Sequence, residues 1–166
     1  MIKNIFVYSF FSFFLLNVCY GQTTNERKIK LAQSYEQVGQ YDDAIRIYNE
    51  VYKEDKGYIA AFEGLVRSYK AKNMNTELLD LLEDRIKFDK TGLNYILLGE
   101  ARWKAGKSKE ADEAWKLAVE KEPTNPYVYK DMAEIQTQLQ LFGKAINTYK
   151  LGRDNLTSRN GQTLFV

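Results

Sequence analysis

The 166-residue sequence contains no histidine and a single cysteine, Cys19. The first absence removes the commonest general base and the commonest metal ligand together, so any catalysis would rest on carboxylates or lysines. One sulfur can build neither a disulfide framework nor a cysteine-based zinc site, so no metal and no cofactor is expected. Net charge is also scarce: 24 Lys and Arg stand against 22 Asp and Glu, a surplus of +2. No run of basic residues gathers that surplus into a patch. The electrostatic footprint of a nucleic-acid binder is therefore missing, and the basic side chains read as solvated helix faces. What is present is globular, with 45% hydrophobic and 28% charged residues in a length that suits one domain with a real core.

A long apolar run occurs only at the N-terminus, in MIKNIFVYSFFSFFLLNVCYGQ. Lys3 precedes an apolar stretch from Ile5 to Leu16, and small residues follow near Gly21. This is the pattern of a secretory signal peptide over residues 1–21. As a membrane span it falls short of the roughly 20 apolar residues a bilayer needs, and Ser9, Ser12 and Asn17 interrupt it. Cleavage after Gly21 gives a mature chain beginning at Gln22. The competing exit makes Cys19 the lipidated first residue of a lipoprotein, with Leu16 three residues ahead, but Asn17 and Val18 are poor matches to the small residues such a signal requires. Export to the periplasm or cell surface of a bacterial envelope is the expectation, with a lipoprotein anchored at Cys19 as the alternative. A mature chain without a thiol suits an oxidising compartment.

One short motif suggests chemistry. Gly106-Lys107-Ser108 has the form of the tail of a phosphate-binding loop, which also needs a glycine five residues earlier. That position is Ala101, and Arg102, Trp103, Lys104 and Ala105 between them make a good helix rather than a glycine-rich turn. No nucleotide site is expected.

The remainder of the chain repeats. Ala44, Leu78, Ala111 and Ala145 follow one another at intervals of 34, 33 and 34, and four residues after each stands Tyr48, Leu82, Trp115 or Tyr149. Thirteen residues before each is Leu31, Leu65, Leu98 or Met132, followed at once by Ala32, Val66, Gly99 or Ala133. Helical spacing inside a period near 34 predicts stacked helix pairs. Gly39 and Gly106 suit the left-handed residue that closes a first helix. Pro123 closes a repeat because a helix does not run through it. Small residues at helix centres let neighbouring helices approach while the bulky ones fill the gaps.

On these residues the chain resembles the tetratricopeptide repeat family. The third copy, YILLGEARWKAGKSKEADEAWKLAVEKEP, carries the pattern most fully at Tyr95, Leu98, Gly99, Ala111, Trp115, Ala118 and Pro123, and the first carries Leu31, Ala32, Tyr35, Gly39, Tyr41, Ala44 and Tyr48. The resemblance implies an all-α fold, a right-handed α-solenoid of antiparallel helix pairs, following the signal peptide. The repeat domain spans residues 22–159, with copies at about 25–58, 59–91, 92–125 and 126–159. Residues 160–166 begin a fifth repeat or form a tail, and the apolar Thr163-Leu164-Phe165-Val166 suggests the front part of a longer chain or a truncated reading frame. Departures mark the second copy, with Leu78 in place of a small residue, Asn73 and Asn75 in the turn, and Arg85 where Ala is usual; looser packing or a shifted crossing angle is expected there. The fourth has Gln140 for the turn glycine and Gly152 late in its second helix.

In this family the first helices line a groove that holds a peptide or a partner helix. The resemblance implies groove positions at Ile29, Gln33, Glu36 and Gln37, then Glu63, Arg67 and Lys70, then Ile96, Glu100, Trp103, Lys104, Lys130, Glu134 and Thr137. Arg67, Lys70, Glu100, Trp103, Lys104, Lys130 and Glu134 are the leading candidates, Trp103 as an aromatic anchor and the cations for carboxylates. Trp103 also suits packing across a repeat boundary, and the charged residues also suit an ordinary solvated face. Some members grip a C-terminal carboxylate with a lysine–asparagine pair; here those places hold Ile29 and Gln33, which argues against that ligand. Asp42-Asp43 reads as a helix start through capping and the helix dipole, and Asn155-Leu156-Thr157 fits a glycosylation sequon. The expected function is a non-enzymatic interaction module or scaffold that binds a protein or peptide. Its rivals are a glycan-acting enzyme using Glu63, Glu100 or Glu134, and a self-associating structural protein.

Overall fold

The computed structural model describes residues 24–160. The expected signal peptide with Cys19, and residues 161–166 of the expected tail, lie outside the described residues. Among the described residues there are eight helices and no strand. α1 covers 24–37, α2 Tyr41–Glu54, α3 Ile59–Ala71 and α4 Asn75–Phe88. α5 is Gly92–Lys104, α6 Ser108–Lys121, α7 Pro126–Gln138 and α8 Phe142–Asn160. The helices divide between Asn73 and Met74, in the turn of the second copy, into two compact units.

Every first-to-second helix turn adopts the same backbone. Gly39 and Gly106 have φ of 76° and 77°, and Asn73 and Gln140 are driven to 55° and 61° at the equivalent places. The reason is the closing pattern: Gln40 N–H reaches Tyr35 O at 2.9 Å, Lys107 N–H reaches Arg102 O at 2.9 Å and Leu141 N–H reaches Gln136 O at 2.8 Å. Such closure requires a left-handed residue, which Asn tolerates and Gln resists. The second helices α2, α4 and α6 start without a side-chain cap. Asp42 and Asp43 therefore act through the dipole of the first turn, and the expected capping role falls to no side chain because the preceding residue is Gln40. α5 and α7 are capped by Thr91 and Asn125, whose side chains accept from Asn94 N and Tyr127 N, and Pro126 opens α7.

The repeat positions are buried as their spacing implies. Ala44, Leu78, Ala111 and Ala145 are all buried, as are Tyr48, Leu82 and Trp115. Two positions depart: Leu31 is 50% exposed and Tyr149 40%, whereas Leu65, Leu98 and Met132 are covered.

In the first unit the Tyr48 ring lies over Gly64, where a Cβ would meet ring atoms at 2.3–2.5 Å. In the second unit Tyr95, Ile96, Ala111, Trp115, Ala118, Val128 and Met132 form one core cluster. Gly99 admits the Trp115 indole so closely that a Cβ would sit 2.2 Å from Nε1, and that N–H donates to Ile96 O at 3.3 Å. Gly152 does the same for Tyr129, with ring and Cβ atoms 2.7–2.8 Å from a built Cβ. Gly152, late in the second helix of the fourth copy, is thus the condition for a close α7–α8 contact. Asn155, the sequon residue, sits in α8 and donates its amide to Tyr129 Oη at 2.8 Å, while that hydroxyl donates to Pro123 O at 2.7 Å.

The second copy places Arg85 inside. It is 5% exposed, pairs with Asp89 at 2.9 Å and lies 5.4 Å from the Phe88 ring centroid. Asp89 also accepts from Asn94 Nδ2 at 3.0 Å, so a charged residue in an alanine position is accommodated by a local polar network.

Candidate functional site

Three of the four groove positions expected in the first copy converge on one place. Gln33, Glu36 and Gln37 of α1, Tyr41 at the start of α2 and Arg67 of α3 line a recess of about 510 Å³ in the first unit. Ile29 is the exception: at 6% exposure it belongs to the core. Gln33, Glu36 and Gln37 reach the recess together because positions three and four apart on a helix share a face.

The centre of the recess is a clamped carboxylate. Arg67 donates Nε–H to Glu36 Oε1 at 2.7 Å and an Nη2 proton to Oε2 at 3.1 Å, a bidentate pair linking α3 to α1. From below, Tyr48 Oη donates to Glu36 Oε2 at 2.7 Å. The Arg67 bonds hold the Glu36 carboxyl below the usual carboxylate range, against the opposing effect of burial. Burial, reinforced by the bond to Glu36, pushes the Tyr48 phenol up to about 12, and the bond to Glu36 raises the Arg67 guanidinium above its ordinary value. The Arg67 side chain remains 49% exposed while that of Glu36 is 18% exposed. The guanidinium therefore keeps an open edge toward solvent, and Gln33 and Gln37 beside it present amides that both donate and accept.

The remaining candidates are placed as follows. Lys70 is half-buried on α3 and Glu63 is exposed on the same helix. In the second unit Glu100 is 5% exposed and accepts from Lys104 Nζ at 2.7 Å. Lys130 and Glu134, both exposed on α7, pair at 3.2 Å, and Glu134 raises the lysine's pKa. Ile96, expected on the groove, is fully buried in the core cluster because its side of α5 turns toward α6 and α7. Trp103 is half-buried: its ring stacks on Trp115 at a centroid distance of 6.0 Å and 27°, and Lys144 Nζ of α8 stands 5.7 Å from its centroid. This is the packing role across a repeat boundary, and it leaves Trp103 engaged with α6 and α8. The structure thus gathers Arg67 with Glu36, Gln33 and Gln37. Tyr41 and the Tyr48 hydroxyl are the site residues that spacing alone did not mark, because both matched the repeat pattern as packing residues.

Among the described residues no group of three or more potential metal ligands comes together, and no helix is long and apolar enough to cross a membrane.

The family profile described as tetratricopeptide repeat matches residues 29–56. No curated protein sequence matches the chain. Solved structures do. A structure of MamA is 20% identical, with 78% of this chain and 74% of that chain covered and a TM-score of 0.54. MamA from Desulfovibrio magneticus RS-1, residues 41 to the end, is 16% identical over 82% of this chain and 77% of that chain, at 0.57. YrrB, described as a tetratricopeptide protein with an unusual peptide-binding site, is 18% identical over 81% and 68%, at 0.51. At these identities the likeness is one of fold.

Proposed function

We propose that this chain, a tetratricopeptide-repeat protein by its fold and its first repeat, is a non-enzymatic interaction module that holds a protein or peptide segment on its first helices outside the cytoplasm. The observation that carries the reading is the recess around Arg67. An exposed ion pair of this kind adds no more than about 1 kcal/mol to stability, so the bidentate clamp is better understood as positioning. It fixes a half-exposed guanidinium in a recess that two glutamines also line, a set of donors and acceptors that suits an extended backbone with a carboxylate-bearing side chain. YrrB, with its peptide-binding site, offers a precedent for this use of the scaffold.

The enzymatic rival has no comparable arrangement behind it. Glu100 and Glu134 are each paired with a lysine one turn on, and Glu63 stands exposed on α3. Export rests on the N-terminal sequence pattern alone.

The test uses the mature chain from Gln22 in the extracytoplasmic fraction of its source cell. A photo-crosslinking residue in place of Gln37 is expected to capture a defined protein, one in place of exposed Lys53 on α2 to capture none, and Arg67→Ala to lower the Gln37 yield at least fivefold. Equal yields from the two positions, or no effect of Arg67→Ala, would refute the recess as the binding site.

A further inference from the structure

The second unit contains the same inter-helix groove twice, once between α4 and α6 over α5 and once between α6 and α8 over α7. The first is plugged. Arg102 rises from α5, places Nη2 3.5 Å from Glu83 Oε1 of α4 and donates from Nη1 to Glu110 O of α6 at 3.3 Å. The equivalent position in the first unit, Tyr69, likewise reaches its neighbour, accepting from Asn49 Nδ2 of α2 at 3.3 Å.

In the second groove the plug is missing. Gln136 follows Met132 by four residues as Arg102 follows Leu98, and Lys116 stands where Glu83 stands in the preceding copy. The shorter Gln136 folds down instead, its Oε1 accepting from Thr148 Oγ1 at 2.8 Å with both side chains buried. α6 and α8 each pack on α7, and across the groove they are tied to one another by the Lys144–Asp112 ion pair. Between them is a cavity of about 440 Å³ whose apolar lining comes from Trp115, Val119, Met132 and Leu151.

The charged side chains lining this cavity are already paired, as are Gln136 and Thr148. Lys144 bonds both carboxylate oxygens of Asp112 at 2.8 Å, Lys116 lies 3.5 Å from Glu120, and Gln136 and Thr148 serve each other. Each charge on the rim thus has its opposite within the rim. An ionic ligand would have to break one of these pairs, whereas an uncharged one gains from burial alone. The volume lies within the roughly 300–1,000 Å³ of small-molecule sites. We propose that the α6–α7–α8 groove is a binding site for a small, uncharged, apolar molecule, separate from the Arg67 recess.

The repeat supplies its own control, because the plug can be transplanted. Titrating the mature chain with the uncharged fluorophore N-phenyl-1-naphthylamine is expected to give saturable one-to-one binding, with quenching of tryptophan emission through Trp115. The double variant Lys116→Glu, Gln136→Arg, which rebuilds the Glu83–Arg102 plug, is expected to weaken binding at least tenfold at unchanged helical circular dichroism. Leu151→Trp, at a position 45% exposed, fills the same space from the α8 side and is expected to do likewise, so a folding failure of the double variant leaves the test intact. Arg67→Ala is expected to leave this binding unchanged, which separates this site from the proposed partner site. Absence of saturable binding, a stoichiometry above one, or equal affinity in Leu151→Trp would overturn the proposal.

Discussion

At the scale of single residues, small side chains decide where large ones go. Gly99 and Gly143 are both helical, yet only Gly99 has a neighbour in the space a methyl would take, and that neighbour is the Trp115 indole. Gly99→Ala is therefore expected to destabilise by roughly 1–3 kcal/mol through overpacking. Gly143→Ala, which meets nothing within 4 Å, is expected to be neutral or stabilising by up to about 1 kcal/mol; urea unfolding midpoints compare the two. Glu36 carries a second residue-scale expectation. Arg67 lowers its folded pKa below the ordinary 4.5, so the unfolded chain takes up the proton first. The stabilisation is present above the unfolded value and is lost as pH falls through the lowered folded one. Glu36→Gln is expected to cost about 1 kcal/mol or less at pH 7, given the half-exposed Arg67. That difference should shrink as pH falls through the lowered folded value of Glu36, read from the same unfolding curves.

At the scale of elements, the turns show how far a repeat imposes its backbone on residues that resist it. Gln140 holds φ 61° because the hydrogen bonds that close α7 leave no other conformation. A non-glycine residue there carries about 1–2 kcal/mol of left-handed strain, partly offset by the smaller entropy loss of Gln relative to Gly on folding. Gln140→Gly is expected to stabilise by roughly 0.5–1 kcal/mol, whereas Gly106→Gln should destabilise by a similar amount; a thermal melt of each checks the pair. These elements were legible in the sequence because the signature residues recur in register, from Gly39 and Gly106 in the turns to Trp115 and Ala111 in the helices. The exposure of Leu31 and Tyr149 was not, because repeat spacing assigns a residue to a face without stating how far that face is covered. The site divided in the same way. Gln33, Glu36 and Gln37 followed from helical spacing, but the Tyr48 hydroxyl and the Arg102 plug depend on which way long side chains run across helices, and spacing does not encode that. The contacts of Trp103 with Trp115 and Lys144 are of the same kind.

At the scale of the whole molecule, the proposed function rests on what the recess around Arg67 can hold. The Glu36 carboxylate, its pKa lowered, is held by an arginine and a tyrosine in a recess open to solvent. No histidine is available to move a proton near neutral pH. Stability in such folds is shared among neighbouring repeats, which leaves the first-helix side chains free to serve recognition. The most direct measurement of that claim is amide hydrogen exchange on the mature chain, alone and in complex with the protein captured at Gln37. The account predicts added protection in residues 33–41 and 63–70, abolished by Arg67→Ala, with α6 and α8 unchanged. Protection absent from 33–41 and 63–70, or retained in full by Arg67→Ala, would contradict it.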